Sequence, residues 1–447
     1  MNKAMKDSGN EWIGLIPQDW CTIPFKHFFR TGKGLSFTKA DLVPEGNAVI
    51  SYGQIHSKLN TGTRLDANLL RYVPDSITDN GNNSKVVKGD FIFADTSEDI
   101  EGCGNCVYID KHLDVYAGYH SVIAHWTVQN DNKYFAYYFM SPYWRSQVRC
   151  KVSGIKVFSI SQSIINSTTL VVPPRDEQDR IAHYLDKVCS DIDEMVALQE
   201  QMIEELKAYR QSIITEAVTK GLNPNVPTRN SGIDWIGEIP SNWIICRIKN
   251  VATLFGRIGF RGYTSDDLNK DGIGAITLSP SNMQSMAMDY SNVTFLSWEK
   301  YNESPEIQIK KKDLLMVKTG SSYGKVSYVD SLPREATINP QILRIVPTIN
   351  SKYLGYYMQT NLFLYQVEGG VVGGTIPTIS QEKISNFIVV LPTKDEQDSI
   401  SSYLDNRCSE INSLIECKKV KIDELKEYKK SIIYEYVTGI KEVPYGD

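Results

Sequence analysis

The chain has 447 residues, 41% of them hydrophobic and 23% charged, with a formal net charge of −5. That is the composition of a folded chain of two or three domains, each of roughly 150 residues and large enough to bury its own core, and eight cysteines are too sparse for a disulfide scaffold. No stretch approaches the ~20 apolar residues of a membrane span and no apolar run follows the first lysines as in a secretory leader, so the expectation is a cytoplasmic protein with no membrane partner.

In chain order, the first element is a short aromatic segment, Asp7 to Trp20, with Trp12, Pro17 and Trp20. It returns as Asn230 to Trp243 with eight of fourteen residues identical, carrying Trp235, Pro240 and Trp243. The bland reading, an aromatic clip that anchors a block to its neighbour, is preferred for both. The block that follows, to residue 175, holds strand-sized apolar runs at 47–50 and 90–93 and an aromatic helix at 134–140. It ends on Ser159-Ile160-Ser161-Gln162 and Leu170-Val171-Val172-Pro173.

From residue 176 the pattern changes to a heptad. Ile181, Leu185, Val188, Ile192, Met195, Met202, Leu206, Tyr209 and Ile213 recur at steps of four and three, broken at Gln199, which predicts a helix of some 40 residues with one apolar seam. Pro173 and Pro174 precede it, and Gly221 and Pro224 follow it. A second block covers 223–394, with a strand-sized apolar run at 313–317 and an aromatic helix at 353–358, and repeats the closing pattern as Thr378-Ile379-Ser380-Gln381 and Val389-Val390-Leu391-Pro392. A second heptad helix starts at 395, its seam running through Ile400, Leu404, Ile411, Leu414, Leu425, Tyr428 and Ile432, with a shift toward Ile415 and Ile422 where Lys418 and Lys421 fall on it. Asp176 to Thr219 matches Asp395 to Thr438 at 22 of 44 positions without a gap. The module is therefore duplicated, with boundaries at 1–175, 176–222, 223–394 and 395–447. The expected fold is α+β: two mixed α/β globular domains separated by two long helices packed as an antiparallel coiled coil, with an internal pseudo-two-fold repeat. A stripe left wet needs a partner, and the nearest partner is its own copy.

Charge divides along the same boundaries. Residues 1–175 carry 18 basic and 16 acidic groups and 223–394 carry 17 and 14, whereas 176–222 carry 5 and 11 and 395–447 carry 8 and 12. A polyanion would meet the two large blocks, because phosphate attraction acts within a Debye length of about 8 Å. Glycine- and serine-flanked cations are the candidate contacts: Lys33 and Lys39; Arg145, Arg149, Lys151 and Lys156; and Arg257, Arg261, Lys318, Ser321 and Lys325, with Thr375 in the turn 369–375. Gly32-Lys33-Gly34 aligns loosely with Gly256-Arg257-Ile258-Gly259.

The repeated Trp-Ile-Gly-x-Ile-Pro-x-x-Trp segment, variable block, Ile-Ser-Gln turn and Asp-Glu-Gln helix start (Asp176-Glu177-Gln178 and Asp395-Glu396-Gln397) resemble the specificity subunit of Type I restriction-modification enzymes. The run Phe93 to Asp99 is also similar to a stretch found in one group of its recognition domains. The resemblance covers essentially the whole chain. It implies two target recognition domains, each reading one half of a bipartite site on double-stranded DNA, and helices that form a central antiparallel coiled coil. It further implies docking of two methyltransferase subunits and, through them, two restriction and motor subunits. S-adenosylmethionine, ATP and Mg²⁺ belong to those partners, and this chain is expected to bind no cofactor and to carry no catalytic centre.

An independent catalytic reading lacks its motifs. Gly320-Ser321-Ser322-Tyr323-Gly324-Lys325-Val326 has one residue too few between its glycines for a phosphate loop, and Val where a Mg²⁺-binding hydroxyl belongs. Asn339-Pro340-Gln341 lacks the second proline and the aromatic of an adenine methyltransferase motif, and the Glu-Leu-Lys strings at Glu205 and Glu424 lie on the heptad helices. Cys103 and Cys106 form one CxxC pair with no second pair to complete a zinc site. The six histidines, His27, His56, His112, His120, His125 and His183, have no equivalents in the second copy. The competing class is an adaptor whose paired helices organise protein partners without DNA.

Overall fold

A computed structural model of the chain describes residues 4–79, 81–127, 132–269, 271–372 and 376–444. Its contacts gather into two compact units, Met1–Glu200 with Lys419–Asp447, and Gln201–Lys418. The long helices are Arg175–Lys220, 46 residues, and Lys394–Val437, 44 residues; each gives part of its length to each unit. No helix among the described residues is long and apolar enough to cross a membrane.

The helices start and stop where local chemistry dictates. Ahead of Lys394–Val437, Thr393 and Glu396 form a capping box, the Thr393 amide and hydroxyl both donating to Glu396 Oε2 at 3.1 and 2.7 Å. Gln178 Nε2 donates to the carbonyl of Pro173 at 2.7 Å, and Gln397 Nε2 to that of Pro392 at 2.9 Å, so the helix-opening glutamines bind the prolines before them. Gly221 (φ +79°) and Gly439 (φ +71°) lie just beyond the helix ends in the left-handed region. At Gly439 a side chain is excluded twice over, since a Cβ there would sit 2.3 Å from Pro17 Cγ.

In the first unit the early turns of one helix and the late turns of the other run antiparallel. Tyr436 donates to Tyr184 at 3.2 Å and Lys429 pairs with Asp193 at 2.7 Å, so partners descend on one helix as they ascend on the other. Ile181, Leu185 and Ile192 are buried with Leu425, Ile432 and Ile433 in one core, and Val188 packs partly buried against it. In the second unit Ile203, Ile213, Ile214, Ala217 and Val218 are buried on one helix and Ile400, Leu404, Ile411 and Ile415 on the other. Arg210 donates to Asn412 at 2.6 Å there.

The expected shift of the second seam to Ile415 and Ile422 agrees with the burial of both, whereas Leu414 is 52% exposed and Met195, Met202, Tyr209 and Tyr428 are also exposed. Leu206 is only half-buried, its place taken by Ile203. An α-helix turns once in 3.6 residues, so a strict seven-residue stripe drifts by ~20° per heptad off the contact line. The helices also bury a second face: Tyr137 and Lys133 bond Asp186, and Tyr356 and Lys352 bond Asp405, at 2.6–2.8 Å.

The large blocks share one plan. In the first unit a four-stranded antiparallel sheet runs Cys106–Tyr108, Phe91–Ala94, Ser121–Trp126, Phe29–Lys33. In the second the same order is Val326–Tyr328, Leu314–Val317, Ile342–Pro347, Ala252–Gly256. Each unit has a second sheet with a parallel pair, Asn47–Ile50 with Val115–Ala117 in the first and Ala275–Leu278 with Ala336–Ile338 in the second. Strands Phe91–Ala94 and Leu314–Val317 are buried at every residue, which is why they read as continuous apolar runs.

Leu404→Ala is expected to cost ~2–5 kcal/mol of stability, the range for truncating a fully buried leucine. Leu414→Ala should stay within about 0.5 kcal/mol, as surface substitutions do. Urea denaturation of both variants checks the register of the second helix.

Candidate functional site

Each α/β fold is tied to the start of a long helix by the Asp-Glu-Gln run. The buried Trp20 indole donates to Glu177 Oε2 at 2.9 Å, and Trp243 donates to Glu396 Oε1 at 3.1 Å. Asn132 donates to Gln178 Oε1 at 2.8 Å, and the Asn350 amide to Gln397 Oε1 at 3.1 Å. Burial would raise the Glu396 carboxyl, but donors from Thr393, Trp243 and Asn242 outweigh it and hold the group below its ordinary value. Tyr134 and Tyr353 donate to Val437 O and Val218 O, at the far ends of the opposite helices, at 2.9 and 3.2 Å. Of the aromatic clip, Trp20 and Trp243 are buried whereas Trp12 is exposed.

Away from the helices, the first unit opens a cleft of about 970 Å³ at the ends of strands Phe29–Lys33, Phe91–Ala94 and Ser121–Trp126; Lys33, Phe37, Asp95, Tyr119, His120 and Gln162 are on its wall. Gln162 opens a short helix capped by Ser161. His120 Nδ1 lies 3.3 Å from Asp95 Oδ1, and His120 is one of the few non-glycine residues with positive φ, at +52°.

The second unit repeats this frame with other side chains. The Asp95 amide donates to His120 O at 3.2 Å and the Lys318 amide to Gln341 O at 2.8 Å. The carbonyls of Asp95 and Lys318 accept from Ile160 and Ile379 at 2.7 and 2.9 Å. Asp95 thus corresponds to Lys318, and His120 to Gln341. Val122 pairs with Lys33 and Phe93, and Leu343 with Gly256 and Met316, so Lys33 corresponds to Gly256. The alignment of Gly32-Lys33-Gly34 with Gly256 to Gly259 is therefore corrected by one residue: Gly34 matches Arg257. A Cβ at Gly256 would lie 3.3 Å from Lys318 Nζ and 3.2 Å from Gln381 Oε1, so the missing side chain leaves the lysine its place beside Gln381.

The cations singled out from the sequence divide into two sets. Arg145 and Arg149 both donate to Glu101 O, at 3.3 and 2.7 Å, and Arg149 also pairs with the Glu101 carboxylate at 2.9 Å. Arg257 is buried, donates to Ile338 O and Thr337 Oγ1 at 3.1 Å and lies over the Tyr263 ring. Arg261 pairs with Glu306 at 3.4 Å, and Lys151 donates to Ser167 at 2.8 Å. These five side chains are engaged within their own folds. Lys33, Lys39, Lys156, Lys318 and Lys325 carry no side-chain hydrogen bond or ion pair among the described residues, and Lys318 is the half-buried one, its ammonium pushed below the ordinary lysine range by burial. Lys156 sits beside Ile155, which is 99% exposed. Ser321 is exposed in the turn before Lys325, and Thr375 lies outside the described residues. Cys103 and Cys106 are both buried, Cys106 pushed up to about 12 by desolvation.

Two α/β recognition folds of one plan, each joined to both members of a pair of antiparallel helices, define a duplicated helix-linked scaffold. A family model described as the Type I restriction modification DNA specificity domain matches residues 17–208 and again 240–427. The chain belongs to that family, the specificity subunits of Type I restriction-modification enzymes. It is 23% identical over 436 residues, 96% of its length and 95% of the relative's, to the putative type I restriction enzyme MjaX specificity subunit of Methanocaldococcus jannaschii. It is 26% identical over 314 residues, 64% of each chain, to the type I restriction enzyme EcoBI specificity subunit of Escherichia coli. Among solved structures, a chain described in terms of complex assembly and conformational transition of the type I R-M system superposes with a TM-score of 0.69, at 16% identity, over 95% of this chain and 99% of its own.

The two sets of cations should separate by stability. Arg257→Met leaves buried acceptors without donors, at roughly 1–3 kcal/mol for each, and should lower the melting temperature. Lys318→Met should raise it at neutral pH. The folded-state value of Lys318 is depressed, so the unfolded chain binds the extra proton and stability rises with pH between that value and the ordinary lysine value near ~10.4. Above that window the wild type should catch up. Melting curves at neutral and alkaline pH provide the check; a lower melting temperature for Lys318→Met at neutral pH would contradict the sign.

Proposed function

We propose that this chain is the sequence-reading and assembly subunit of a Type I restriction-modification complex. Each recognition domain reads one half of a bipartite site on double-stranded DNA. The paired helices set the distance between the halves and dock two methyltransferase subunits, through which two restriction and motor subunits join. The chemistry belongs to those partners, which use S-adenosylmethionine, ATP and Mg²⁺; this chain supplies recognition and geometry.

The observation that carries this reading is the repetition of one backbone frame with unlike side chains, Asp95 and His120 on the cleft wall of one unit and Lys318 and Gln341 at the matching positions of the other. A scaffold that bound two identical partners and nothing else would need matching surfaces on both copies. A reader of two different half-sites needs frames that agree and reading faces that do not. The unpaired lysines Lys33, Lys39, Lys156 and Lys325 suit phosphate contacts, which hold a protein on DNA without specifying sequence.

The test is methylation sequencing of DNA exposed to this chain with its methyltransferase partner. A bipartite methylated motif is expected, and exchanging residues 1–175 for the block of another specificity subunit should change one half of it. Change in both halves refutes independent reading. Binding of the assembled complex should also weaken steeply with salt, by roughly one unit of log–log slope per phosphate contact. Lys156→Ala should reduce that slope by about one. Binding indifferent to salt and to sequence would support a protein adaptor instead.

A further inference from the structure

We infer that Asp95 with His120, and Lys318 with Gln341, are the specificity-determining base contacts of the two recognition domains: the first pair for a base edge that presents an amino donor, cytosine N4 or adenine N6, the second for the acceptor edge of guanine. The inference rests on the DNA-reading function above and names its contacts.

Four observations support it. The positions are equivalent in backbone, because the amide and carbonyl of Asp95 and Lys318 make the same two hydrogen bonds in each unit, to His120 or Gln341 and from Ile160 or Ile379. Two neighbouring positions keep their chemistry, since Ser161 and Ser380 both cap the helices opened by Gln162 and Gln381. Between Asp95 and Lys318 the side chain changes from anion to cation. A carboxylate facing DNA cannot hold a phosphate, which it repels, so Asp95 on the cleft wall is suited to a base amino group. The same frame then directs Lys318 to a base as well, and a lysine finds its acceptors at guanine O6 and N7.

The two pairs are also held at a cost to the fold, as functional sites often are. His120 adopts φ +52°, a conformation that histidine tolerates better than most residues but still disfavours. Its Nδ1, 3.3 Å from Asp95 Oδ1, keeps the carboxylate oriented and leaves the second oxygen for a ligand. Lys318 is half-buried with no partner for its ammonium among the described residues. Gln341 Oε1 accepts from Asn339 Nδ2 at 3.2 Å, which turns its amide donors outward from that contact.

The experiment uses the full chain assembled with its methyltransferase partner, with methylation motifs read by sequencing. Asp95→Lys with His120→Gln should alter the preferred base at one position of one half-site, with a roughly tenfold to hundredfold loss of methylation at the original motif. Lys318→Asp with Gln341→His should do the same in the other half only. The near-isosteric Asp95→Asn, and Lys318→Gln, should relax one position each, so the inference stays testable even where a double variant fails to assemble. An unchanged motif methylated at the wild-type rate by all four variants overturns the inference. A uniform loss with no change of base preference also overturns it, since that is the signature of a phosphate contact or of damage to the fold. If the wild type itself yields no bipartite motif, the functional reading fails; a wild-type motif that every variant preserves fails only this assignment.

Discussion

The structure depends on one local constraint, the seating of a carboxylate and an amide at the first turn of each long helix. Glu177 and Glu396 are held by buried indoles, and Gln178 and Gln397 bond both the preceding proline carbonyl and an asparagine of the recognition fold. A carboxylate taken out of water against an aromatic ring is costly unless its oxygens receive donors, so glutamate, glutamine and tryptophan are required together, Asn132 adding a side-chain donor and Asn350 a main-chain one. Losing one leaves its partners unsatisfied. This reciprocal requirement explains why the two copies agree most closely where the recognition fold meets the helix, and why Gly221 and Gly439 close the opposite helix ends against Trp243 and Pro17.

With that joint secured, the cleft is free to vary. Its floor is a four-stranded sheet fixed by main-chain hydrogen bonds, and main-chain bonds do not depend on which side chain is present. A lysine can therefore stand where an aspartate stands in the other copy, as Lys318 and Asp95 do, without changing the hydrogen bonds that position it. Lys33 and Gly256 exchange roles in the same manner: one copy carries its cation on the outer strand, the other on the central strand beside a vacated Cβ. The two copies thus keep one geometry and vary the chemistry placed on it.

Much of this is legible in the sequence, for identifiable reasons. The long helices follow from apolar spacing between proline and glycine boundaries, and the strands at 47–50 and 314–317 from short apolar runs. The seam fails at Leu414 and Met202 because drift of the helix, and burial of a second face against the recognition fold, are tertiary effects that a strict heptad does not encode. Neighbouring glycines mark candidate cations, but they cannot separate Arg257, whose guanidinium is consumed by Ile338 and Thr337, from Lys318, which has no partner among the described residues. Asp95 enters the sequence reading only within the run Phe93 to Asp99, and His120 escapes one that looks for duplicated residues. Side chains that differ between the copies are not found by looking for duplication, and their equivalence shows only in strand register.

The most direct test of the central claim is photo-crosslinking of the assembled complex on a duplex carrying both half-sites, with a photoreactive side chain at Tyr119 or, separately, at Ser321. The account expects crosslinks from Tyr119 to bases of one half-site and from Ser321 to those of the other. Crosslinks from both positions to the same half-site, or none from either when the complex is fully bound, would contradict it.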